Sequence, residues 1–291
     1  MISPRMSVLA LALAILQVSA ALPSRAADML PPPPAPPGVD EAPVVAAPAA
    51  LRGDVQVSGG AYAVSNGYSD RSFVSLQGSL YEDGGLGVHV DTSHTWREED
   101  GTFFAAGVSY AVTPSTRLKV MAGTSSDNDG ILPELYLSGS ATVDFGPQAG
   151  VVLIPELFYR SYRNGVEELQ GQATINKYFA PFQDGSYLVG SLTGSVNYVT
   201  PGEHVGWEAS ASVMHVQPRY MTVGLGAVAG SSAYDNQLGL ASVGVRNDYA
   251  GIRPSASMYL SPDVEVFVRG EYLWTDFYDL AGGFAGIKYA F

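Results

Sequence analysis

The sequence predicts an all-β fold, a transmembrane antiparallel up-and-down β-barrel of about 14 strands, with about 12 or 16 as alternatives. Three observations predict it. Apolar and polar residues alternate with period two from Asp54 to the end of the chain, and pleating sends such side chains to opposite faces. The composition is unlike that of a water-soluble domain, with 33 Gly, 17 Tyr and only 15% charged residues in 291, where soluble proteins carry roughly 25% charged residues. The last stretch, Ala281 to Phe291, places Ala285, Ile287, Tyr289 and Phe291 on one face and Lys288 on the other. A strand of that pattern closes an outer-membrane barrel with its apolar side towards lipid. Ile287, Tyr289 and Phe291 form the C-terminal signal that a barrel-assembly machinery reads. A buried last strand of a soluble sheet is the competing reading of this stretch.

Composition removes other classes. There is no Cys, so a disulfide framework, a Cys-ligated zinc site and a lipoprotein anchor are excluded. Hydrophobic residues make up 46% of the chain, yet no run after residue 20 approaches the roughly 18 apolar residues of a membrane helix. The net charge of −13 argues against a nucleic-acid partner.

Arg5, the apolar stretch Ser7 to Leu22 and the small residues of Ser24-Arg25-Ala26 read as a secretory signal peptide over 1–26. Cleavage after Ala20 and an uncleaved anchor are the alternatives. Removal of 1–26 takes away Arg5 and Arg25 and no acid, which moves the charge from −13 to −15. Residues 27–53 carry Pro at 31–34, 36, 37, 43 and 48, which favours polyproline II over helix or sheet. They read as a Pro/Ala-rich periplasmic linker. About 24 such residues at ~3.1 Å each reach ~75 Å. The segment is a spacer, or a docking segment for peptidoglycan or a periplasmic partner.

The barrel is predicted over 54–291, with strands at 54–63, 71–81, 85–97, 101–112, 115–124, 134–145, 149–161, 165–179, 186–199, 203–216, 219–230, 242–259, 263–274 and 281–291. Most match the ~9–11 residues that a tilted strand needs to cross a bilayer. In 85–97, Leu86, Val88, Val90, Thr92, His94 and Trp96 face one way, and Gly87, His89, Asp91, Ser93, Thr95 and Arg97 the other. Within 242–259 the phase changes between Val243/Val245 and Ile252/Ala256/Met258. A bulge at Arg246–Gly251 is the expected repair.

With Phe291 at the periplasmic edge, the tight turns at Thr113-Pro114-Ser115, Gln217-Pro218-Arg219 and Ser261-Pro262-Asp263 are periplasmic. The longer connections 124–133 and 230–242 then lie outside, the asymmetry expected of such barrels. Trp96, Trp207 and Trp274 all face outward at extracellular strand ends, where a girdle meets outer-membrane lipid and lipopolysaccharide.

The inward positions collect His89, Asp91, Lys119, Glu134, Tyr136, Asp144, Glu168, Gln170, Gln172, Asn176, Glu208, Arg253, Glu265, Arg269 and Glu271. Two readings stand. They form a solvated wall laced with ion pairs, or a conduit whose carboxylates and Tyr hydrogen-bond a passing solute. His89 and Asp91 share a face, as acid–base or metal partners do. His94 and His215 point to lipid, however, and His89 lies near the periplasmic end, away from the outer leaflet. The sequence Asp127-Asn128-Asp129-Gly130 lacks the ligand spacing of a calcium loop and reads as an acidic loop. No catalytic, metal or cofactor site is expected.

The run VVLIPELFYRSYRNGVEELQGQATINKYFA at 151–180, the strands that follow to Gly230, the Ser261-Pro262-Asp263 turn and the closing GIKYAF resemble the YaiO-like family of outer-membrane β-barrels. The resemblance spans about residues 54–291 and rests on Tyr, Gly and strand rhythm. It implies an outer-membrane location in a Gram-negative bacterium and a link to surface polysaccharide, with no catalytic residues to carry over. The expected function is a narrow passive, porin-like channel for polysaccharide or small polar solutes. A non-conducting structural or adhesive surface barrel is the second reading, and an outer-membrane enzyme the third.

Overall fold

The structure is a computed structural model. It describes residues 51–66, 70–82, 85–96, 100–126, 132–236 and 243–291, with the backbone alone at 233–236 and 243–246. The signal peptide, the linker up to residue 50 and the Asp127–Gly130 motif lie outside the described residues.

Fourteen strands are described: β1 Leu51–Val64, β2 Arg71–Glu82, β3 Leu86–Trp96, β4 Gly101–Thr113, β5 Thr116–Ser125, β6 Leu135–Asp144 and β7 Val151–Ser161, then β8 Glu167–Tyr178, β9 Tyr187–Thr200, β10 His204–Gln217, β11 Met221–Asn236, β12 Val243–Ser261, β13 Val264–Thr275 and β14 Asp279–Ala290. Each pairs antiparallel with its sequence neighbours, and β14 returns to β1 to close the barrel. The closing ladder runs from Asp54↔Ala290 to Val64↔Leu280. Closure satisfies every strand edge, the condition for a sheet to stand in lipid.

The outward parity carries a belt of exposed apolar side chains, among them Leu76, Val108, Val120, Leu157, Leu192 and Val268. A water-soluble surface rarely exposes such a continuous patch; a lipid-facing surface requires one. Trp96, Trp207 and Trp274 lie on this face towards the end opposite Phe291. Trp96 stacks edge-on with His94 at 4.6 Å, and Trp274 lies 4.7 Å from Tyr272. A second aromatic ring surrounds the Phe291 end: Tyr110, Phe145, Phe179, Phe182, Tyr220 and Tyr289 are all exposed there. Girdles at both interfaces mark the two edges of the hydrocarbon layer.

Three boundaries differ from the sequence reading. The first strand begins at Leu51, not 54, because Leu51, Arg52 and Gly53 pair with Glu82, Tyr81 and Leu80. Gly53 also exchanges two backbone hydrogen bonds with Phe291, at 2.8 and 2.9 Å. A Cβ on Gly53 would lie 2.6 Å from Phe291 Cζ, so the terminal ring occupies the space that the glycine leaves. Next, β11 extends to Asn236 rather than 230, which shortens the following loop. Finally, the bulge is not at Arg246–Gly251. The β11–β12 ladder is unshifted from Met221↔Met258 to Asn236↔Val243, and the irregularity falls at Tyr259/Ser261 against β13. The reason is positional. Ala250 pairs with Trp274, so residues 243–248 lie past the Trp girdle, where lipid no longer dictates which parity is apolar.

Candidate functional site

Barrel closure fixes one parity of each strand inside. His89 and Asp91 face inward on β3. His89 Nε2 lies 2.9 Å from Ser109 Oγ, and Asp91 accepts a 3.2 Å hydrogen bond from Gln77 Nε2. Lys119 on β5 stands in register between Ser109 and Ser140. Tyr136 on β6 lies between Phe103 and Phe158, at 5.5 and 6.4 Å. Asp144 ends β6 and accepts from the Gly146 N–H at 2.8 Å, so it shapes the turn into β7 at the Phe291 end. Glu168, Gln170, Gln172 and Asn176 share the inner face of β8, and Glu208, Arg253, Glu265, Arg269 and Glu271 those of β10, β12 and β13. Glu134 is a correction. It precedes β6, is exposed, and its carbonyl accepts from Thr124 Oγ1 at 2.7 Å. The strand that would have turned it inward starts one residue later, leaving Glu134 at the outer mouth.

The outer part of the interior is packed. On one side a buried cluster joins Tyr62, Val64, Val228, Leu273, Tyr278 and Leu280, with Phe73 and Tyr249 against it. On another, Arg160 and Glu168 form a 2.8 Å ion pair, 1% and 0% exposed. Arg160 Nη1 also donates to Gln170 Oε1 at 3.0 Å, and Asn197 Nδ2 donates to Glu168 Oε1 at 2.9 Å. Tyr162, just beyond β7 in the outer loop, lies 3.5 Å from Glu168 Oε2. Burial pushes its phenol far above the ordinary value, and the neighbouring carboxylate pushes it the same way. Arg160 Nε and Nη2 are buried without a protein hydrogen-bond partner.

Below this section lies a cavity of about 200 Å³. Its roof is Tyr62 and a charged network in which Arg253 Nε donates to Glu271 Oε1 at 2.7 Å, Arg253 Nη1 stands 3.5 Å from Glu208 Oε1, and Tyr249 donates to Glu208 Oε2 at 2.9 Å. One wall, from β8 to β11, presents neutral groups including Gln172, Thr174, Asn176, Ser191, Thr193 and Ser212. The other, from β12 to β14, presents Arg269, Phe267, Phe284, Glu265 and Lys288. Thr222, Glu265 and Lys288 lie near the Phe291 end of their strands, so the cavity occupies the middle of the interior and its Phe291 end. Among the described residues no group of three His, Asp or Glu is arranged to hold a metal ion.

Several inward residues escaped sequence reading. Arg160 and Glu156 were legible from β7 alternation, since Glu156, Phe158 and Arg160 share a parity with buried Val152. Pro155 and Ile154 blur that pattern. Phe267 and Phe284 were not legible. Phe267 sits between Val266 and Val268, so apolarity alone does not choose its face.

Fold and interior together define a class: a transmembrane β-barrel of the outer-membrane type, whose interior holds a cavity with polar, charged and aromatic walls. No family model matches the sequence, and no curated protein matches it. Among solved structures the chain is similar to a bacterial polysaccharide outer membrane secretin, at 7% identity over 82% of this chain and 98% of that one, with a TM-score of 0.52. It is also similar to the outer membrane protein Omp33 of Acinetobacter baumannii (11% identity, 82% and 99% covered, TM-score 0.48) and to the KdgM porin in complex with oligogalacturonate (10% identity, 81% and 99% covered, TM-score 0.45). At these identities the likeness is one of fold.

Proposed function

We propose that the protein is an outer-membrane channel that passes small polar solutes through a narrow lumen. The observation that carries this reading is the cavity of about 200 Å³ inside the barrel, lined by hydroxyl, amide, charged and aromatic side chains. A wall built only for rigidity has no need of such a space. Transport is passive: the lumen replaces part of the solute's hydration with fixed hydrogen-bonding groups, and its width sets the size limit. Asp70, Asp100, Glu134, Glu203 and Asp276 stand exposed at the outer end, so the mouth favours cations and neutral solutes over anions. In this reading the signal peptide brings the chain across the inner membrane, the Ile287–Phe291 strand engages the assembly machinery, and residues 27–50 span towards peptidoglycan or a periplasmic partner.

Single-channel recording of the full mature chain in a planar bilayer tests the proposal. Small discrete current steps with cation preference are expected. A silent bilayer at verified insertion contradicts it. The packed outer section favours one second reading, a non-conducting structural barrel whose outer loops bind a surface partner. Silence together with loop labelling on intact cells would select that reading.

A further inference from the structure

Resting on the channel reading, we propose that the lower cavity is a binding site for one neutral sugar ring, held between an aromatic corner and a hydroxyl–amide wall. The corner is made by Phe267 and Phe284, whose centroids are 6.2 Å apart with planes at 80°. Both line the cavity. Gly286 faces Phe267 across the β13–β14 ladder, and a Cβ there would come 2.5 Å from Phe267 Cζ. The missing side chain lets the ring lie against the wall rather than across the lumen. Arg269 sits 5.6 and 5.7 Å from the two centroids, within cation–π range of both rings, and lines the cavity beside them, so a sugar ring stacks on the corner with the guanidinium as its neighbour.

The opposite wall supplies hydrogen bonds without charge. Ser191 donates to Asn176 Oδ1 at 2.6 Å, and Thr174 and Thr193 hydroxyls meet at 2.9 Å. Each hydroxyl has one donor and two acceptor sites, so these contacts leave capacity unused. Asn176 is only 1% exposed, and its Nδ2 is buried without a protein partner, so the accessible groups of this wall are the Ser and Thr hydroxyls. A pyranose matches both walls. Its C–H face is apolar and suits an aromatic ring, and its hydroxyl rim needs several neutral partners.

Net charge on the solute is disfavoured. Arg253 is engaged by Glu271 and Glu208, and Glu265 lies opposite Lys288 in the ladder. With Glu208, Glu265 and Glu271 balanced in number by Arg253, Arg269 and Lys288 along the wall, an ion entering would lose water and meet no net counter-charge. Size limits the occupant further. About 200 Å³ is below the ~300–1,000 Å³ of sites for drug-sized ligands, so rings pass singly.

The test uses the full mature chain in detergent, with D-glucose as probe and D-glucuronate as its charged counterpart. Saturation-transfer NMR is expected to show glucose ring protons receiving saturation, with glucuronate binding more weakly. Phe267→Leu and Phe284→Leu keep apolar bulk, remove the flat ring, and weaken binding about tenfold. Thr193→Val, nearly isosteric, is the second variant should a Phe variant fail to fold, and it weakens binding severalfold. In a bilayer, glucose reduces the potassium current saturably. Current that glucose leaves unchanged, with no saturation transfer, overturns the sugar site and leaves the channel standing. Saturation transfer at a silent barrel overturns the channel and keeps the site. Unchanged binding in folded Phe267→Leu and Phe284→Leu overturns the aromatic corner, and glucuronate binding as tightly as glucose overturns neutrality.

Discussion

The interior above the Arg253 network and the interior below it are built by the same alternation, yet one is a protein core and the other a cavity with polar and aromatic walls. Above, Leu273, Leu280, Val228 and Tyr278 exclude water and a buried ion pair replaces solvent. Below, Ser, Thr, Gln and Asn line an open space, and charges stay partly wet: the Arg253 side chain is 21% exposed against 1% for Arg160. An inward position therefore sets direction only. Whether the lumen is filled or open depends on which side chain each inward position carries.

The largest expected effect comes from the ion pair that has no access to water. Arg160→Met leaves Glu168 charged and uncompensated, and costs ~3–5 kcal/mol by denaturant unfolding in detergent. Adding Glu168→Leu recovers most of that loss, because replacing both partners removes the unpaired charge. Arg253→Met, at a site that water reaches, costs clearly less. Equal losses at the two arginines would erase the distinction between the two levels.

Leu280→Ala removes packing from a residue that is 1% exposed in the apolar cluster and costs ~2–5 kcal/mol. It also widens the outer section. By contrast, Ser212→Ala in the lower wall changes stability by less than ~1 kcal/mol. The same unfolding assay separates them. Deleting Phe291 removes two backbone hydrogen bonds to Gly53, each worth ~0.5–1.5 kcal/mol, and lowers the yield of heat-modifiable barrel on gels.

The smallest effect belongs to the turns at the Phe291 end. Asp184 accepts from the Ser186 hydroxyl and its N–H at 2.6 and 3.0 Å. Those bonds, the side-chain one foremost, hold its carboxyl below the ordinary 3.8. Because the folded value is the lower one, the contribution is complete above 3.8 and disappears as pH falls through the folded value. Asp184→Ala is therefore slightly less stable than wild type at neutral pH, and the gap closes in acid. A gap that persists in acid assigns the loss to the backbone of the turn instead.

Much of the fold was legible because lipid enforces alternation. The strand count and the outward Trp96, Trp207 and Trp274 follow from that one constraint. Legibility failed where lipid stops acting. Residues 243–248 pass the girdle, and their phase change needs no bulge. Leu51 to Gly53 carry no alternating signal, and strand pairing alone recruits them. Inside the barrel, His89, Asp91 and the β8 amides could be read from parity, whereas the apolar plug could not, since Leu273 and Leu280 look like any lipid-facing residue. The Phe267–Phe284 corner depends on Gly286 across a ladder between strands, a relation that a single strand's pattern does not contain.

The central claim is a cavity with polar and aromatic walls beneath a packed outer section. It is tested most directly by single-channel conductance of wild type beside Leu280→Ala, at equal insertion. Small steps in wild type that grow in Leu280→Ala are the predicted result. Steps of identical size would place the constriction elsewhere, and silence from both proteins would contradict a conducting lumen.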